Sequence, residues 1–112
     1  MDAANLYSLT LSQLDAIELA MTSPQGDALI QGAPPTDHQQ AVQQLLDVHE
    51  ARLALGNATL QSIADKLNAN QAAITGGTAA VQAALNSLNN LSQILNTVTN
   101  FVGIVAQIVP ML

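Results

Sequence analysis

The residues able to do acid–base or metal chemistry are few: two histidines, eight carboxylates and no cysteine in 112 residues. His49 stands among Asp47, Glu50 and Arg52. The pair His49-Glu50 opens like the zinc-protease sequence HExxH, in which two histidines one helical turn apart hold zinc and the glutamate acts as base. The second histidine would fall at position 53, which is Leu53, so the motif is absent. His38 lies eleven residues before His49, about three helical turns away, which is no ligand spacing on one face. Asp15 and Glu18 are three apart and could pair. They equally suit the first turns of a helix, whose N-terminal dipole favours negative charge. There is no phosphate-binding glycine loop, no dinucleotide signature and no serine nucleophile in a recognisable setting. Asn57-Ala58-Thr59 and Asn90-Leu91-Ser92 match the glycosylation sequon but fall inside expected helices. These residues point to no enzyme, no cofactor and no metal. His49 and Asn70 fit better as polar positions in a helical seam that fix register.

Composition narrows the class. Hydrophobic residues make up 49% of the chain, yet aromatics are only 2%, Tyr7 and Phe101. The apolar content is Leu, Ile, Val and Ala, which suits helix-on-helix seams. Net charge is −6, with Arg52 and Lys66 the only strong bases. Nucleic-acid binding is thereby excluded, because nothing can neutralise a run of phosphates. Electrostatic docking on anionic lipid is disfavoured for the same reason. Met1-Asp2-Ala3-Ala4-Asn5 has no basic n-region, so no cleavable signal peptide is expected; this is compatible with a cytoplasmic protein or with export by a leaderless route, a dedicated secretion machine or lysis. All formal charges lie at or before Lys66, and 67–112 carries none. A helical surface of that length without Lys or Glu suggests contact with protein or lipid.

The elements that must carry these residues are helical throughout. Residues 1–36 are read as an arm, a short helix over about 11–22 capped by Thr10 or Ser12, and a Pro/Gly linker from Ser23 to Thr36, in which Asp27-Ala28-Leu29-Ile30 suits a single helical turn. From 37 to 112 a seven-residue repeat dominates. One column runs Val42, His49, Gly56, Ile63, Asn70, Gly77, Ala84, Leu91, Val98, Val105. The second is aliphatic in every repeat: Leu46, Leu53, Leu60, Leu67, Ile74, Val81, Leu88, Leu95, Val102 and Val109. A repeat sustained this long predicts a coiled coil. A ridge of small residues, Ala72, Gly76, Ala80 and Ala84, would let two backbones approach.

Gly76-Gly77 is the one interruption. Two adjacent glycines cost a continuous helix about 2 kcal/mol and match the end of one helix and the start of another. The expected architecture is therefore all-α: a helical hairpin, about 37–74 and 78–109, turning near Gly76 and Gly77, or a single coiled-coil helix of roughly 108 Å, plus the short N-terminal helix. Ile94, Phe101, Ile104 and Ile108 fall outside the seam columns and need another cover, either the N-terminal helix, a partner or a membrane.

The segment 94–112 is uncharged and long enough for a short membrane span, although Asn96, Thr97, Thr99, Asn100 and Gln107 suit lipid poorly. In size and helical character the chain resembles small exported helical proteins, the WXG-type secretion substrates and type III needle subunits. It has no tryptophan and carries no motif of either. Its amphipathic Ala/Gln/Leu-rich helices are similar to those of phasins, again without a shared motif. The function expected is that of a structural or interaction protein that self-assembles through helical seams, as a homo-oligomer in a filament, sheath or particle. One alternative is a membrane-active protein inserting 94–112. Another is a small adaptor or chaperone for one helical partner protein.

Overall fold

The chain is all-helical, as seen in a computed structural model that describes residues 2–86 and 88–109. Among the described residues six helices follow one another: α1 (Ala3–Thr22), α2 (Pro24–Gln31), α3 (Pro35–Asn57), α4 (Leu60–Ala69), α5 (Gln71–Leu85) and α6 (Leu91–Ile108). Helices α3, α4 and α5 each pack against both α1 and α6, so the core lies between those two outer helices. It is filled by Leu6, Leu14, Ile17 and Met21 of α1, by Val48, Leu55, Leu67, Ile74 and Val81 of the middle helices, and by most of α6.

Helix α1 begins well before the expected 11–22 span. Asp2, not Thr10 or Ser12, is the cap: its Oδ1 accepts the Asn5 N–H at 2.8 Å. The expected arm is therefore two further helical turns that bury Leu6 and Thr10, and the Thr10 hydroxyl is satisfied by the Leu6 carbonyl at 2.7 Å. Ser23 ends α1 in extended conformation and caps α2, accepting the Gly26 N–H at 3.1 Å. Pro24 follows at the first position of α2, where its missing N–H costs nothing. This corner is tight. A Cβ at Gly26 would collide with the Ala20 carbonyl oxygen, so only glycine fits. The expected linker is thus mostly a second helix.

The seven-residue repeat does not produce the expected hairpin or single rod. The longest dimension is 43 Å, less than half of the rod's length. The turn expected at Gly76 and Gly77 is absent, for both lie inside α5. The chain breaks elsewhere, at short polar residues. Ala58 takes an extended conformation, and Thr59 caps α4 by accepting the Ser62 N–H at 3.3 Å. Asn70 forms the corner between α4 and α5 and returns its side-chain N–H to the Lys66 carbonyl at 2.8 Å. Before α6, Leu88 has a left-handed φ of 47°, and Asn90 caps the helix by accepting the Gln93 N–H at 3.1 Å.

The glycines stay helical because tertiary contact favours it. A Cβ at Gly77 would stand 3.0 Å from Ile104 Cδ1 and 3.1 Å from Phe101 Cδ1. Gly77 is therefore the point where α6 presses onto α5 and Phe101 enters the core. Burying Phe101 contributes about 1.5–3 kcal/mol, which offsets the helix penalty of the glycine pair. The small ridge Ala72, Gly76, Ala80 points the other way: those three are exposed, and only Ala84 is buried.

Candidate functional site

Helix α3 buries Ala41, Gln44, Val48, Ala51 and Leu55. That is a proper helical stripe, but not the most apolar one this helix offers. The stripe on nearly the opposite face, Val42, Leu46, His49 and Leu53, belongs to the predicted seam, and its aliphatic members face solvent. Val42 is 53% exposed, Leu46 51% and Leu53 51%. Packing explains the choice. Ala41 and Ala51 let α3 come close to α1 and α6, and Gln44 makes a specific bond. Its Nε2 donates to the Leu95 carbonyl and to Thr99 Oγ1, both at 2.8 Å. Gln44 is 5% exposed, and losing such a buried partner costs about 1–3 kcal/mol. The bond holds α3 in a rotation that turns Leu46 and Leu53 outward.

One edge of this stripe carries an ionic cluster. The Arg52 guanidinium donates to Asp15 Oδ1 at 2.8 Å and contacts Glu18 Oε2 at 3.2 Å. His49 Nδ1 lies 3.3 Å from Glu18 Oε1 and 3.4 Å from Arg52 Nη2. The hydrogen bond that Arg52 donates to Asp15, with the nearby Glu18 charge, holds the Arg52 pKa above its ordinary value. The guanidinium thus stays charged across the working pH range. The cluster ties α1 to α3 in antiparallel register, Asp15 beside Arg52 and Glu18 beside His49. Asp15, Glu18, Leu19, Thr22 and Arg52 line a shallow surface groove, and Leu19 in it is 73% exposed. Each carboxylate of the cluster thus has the Arg52 guanidinium as a neighbour. Among the described residues no group of three or more His, Asp or Glu side chains could hold a metal ion.

The predicted residues divide among three environments. Of the second seam column, Leu67, Ile74, Val81, Leu95 and Val109 are buried, Leu88 and Val102 half-buried, and Leu46, Leu53 and Leu60 exposed. His49 is half-buried on Glu18, and Asn70 is a corner residue. Ile94, Phe101 and Ile108 are buried and Ile104 is half-buried against α5, so the face set apart for a membrane or a partner is core packing here. The last three residues of the 94–112 segment lie outside the described residues. Sequence reasoning did not see the bond of Gln44 or the joining of Asp15 and Glu18 to Arg52 across more than thirty residues. Only the scarcity of cations hinted at the second. No family model, curated protein or solved structure matches the chain.

Proposed function

We propose that this chain is a non-enzymatic interaction protein that associates with copies of itself through helix faces, as a building unit of a larger assembly. The exposed stripe Val42, Leu46 and Leu53, with Leu19 beside it, carries this reading. Large aliphatic side chains clustered on one surface of a small domain are a liability in water unless something covers them. Helix α3 buries its other stripe and turns these side chains out, a conflict between local pattern and fold of the kind found at functional surfaces. A second surface adds to the picture. The outer face of α5, with Ala72, Ala73, Gly76, Ala79, Ala80 and Ala83, is exposed, uncharged and made of small residues, which suits close helix approach in a higher assembly. Light scattering coupled to size exclusion across a concentration series tests the reading. Mass rising above the 11.6 kDa monomer supports it, and a monomer at every concentration sinks it.

A second reading rests on α6. Leu91–Ile108 has a mean hydropathy of 1.2 and no charge, long and apolar enough to cross a membrane. In this fold its apolar face is spent on α3 and α5, so insertion would require α6 to leave the core. Dye leakage from neutral liposomes, lost on truncation before Ile94, would favour that reading over self-assembly.

A further inference from the structure

We draw no further inference here: the strongest candidate, the shallow groove between α1 and the end of α5 lined by Gln13, Ala16, Ala20, Gln82, Leu85 and Asn86, carries nothing because its buried polar atom, Gln13 Nε2, is closed off from solvent and so offers no contact to a ligand in the groove.

Discussion

Helices α3 and α6 lie against each other and were written in the same seven-residue pattern, yet the fold uses them in opposite ways. Helix α6 is uncharged and gives the core nearly all it has: Leu91, Ile94, Leu95, Val98, Phe101, Val105 and Ile108 are buried. Helix α3 is polar and gives the core a stripe of small and medium residues while its best aliphatic column faces water. A helix with two usable stripes can bury only one against a given neighbour. The choice is made by close approach and by hydrogen bonds as well as by hydrophobicity. Gln44 is held inside by its Nε2, which donates to the Leu95 carbonyl and to Thr99 Oγ1, a specific contact that Leu46 cannot make.

The contrast can be broken most forcefully from the α6 side. Phe101→Ala should cost about 3–5 kcal/mol, seen as a fall in the urea midpoint, because it empties the pocket beside Gly77. If the loss is under 1 kcal/mol, α6 is not the core helix described. Next in size, Gly77→Val should destabilise by about 1–3 kcal/mol through its clash with Phe101 and Ile104. Gln44→Ala should follow at about 1–2 kcal/mol, with weakened protection of the α3 and α6 amides in hydrogen exchange. Gly76→Ala sharpens the comparison by sign. Nothing lies within 4 Å of its Cβ position, so the helix should gain about 0.5–1 kcal/mol. Destabilisation at Gly76 would restore the turn that the sequence suggested. Smallest in stability is Leu46→Gln with Leu53→Gln, within about 0.5 kcal/mol of wild type. That pair should nevertheless abolish self-association by light scattering, and retention of the oligomer would remove α3 from the interface.

How far the sequence could be read differs along the chain. The helical class was legible from periodicity and from the lack of aromatics, and the need to bury Ile94, Phe101 and Ile108 followed from their position outside the seam. The helix ends were less legible. Gly76-Gly77 is the loudest breaker by type, yet turns fall at Ala58-Thr59, at Asn70 and at 88–90. There a side-chain oxygen or amide takes over backbone groups: Thr59 and Asn90 accept N–H groups, and the Asn70 amide donates to a carbonyl. Such caps are common in sequences, and local reasoning does not rank them above two glycines. The start of α1 was missed likewise, because Asp2 as a cap becomes visible only once Leu6 is known to be buried.

The sequence by itself determined that this chain is helical, acidic, without cysteine, and divided into a charged first part and an uncharged last part. Those are properties of residues and of local spacing, and no fold can change them. Tertiary structure decided which of two apolar stripes α3 buries and whether Gly77 bends the chain or admits Phe101. It also decided that Asp15, Glu18, His49 and Arg52 meet. Each outcome depends on how closely two helices distant in sequence can approach, and that distance is set by the side chains of both partners together.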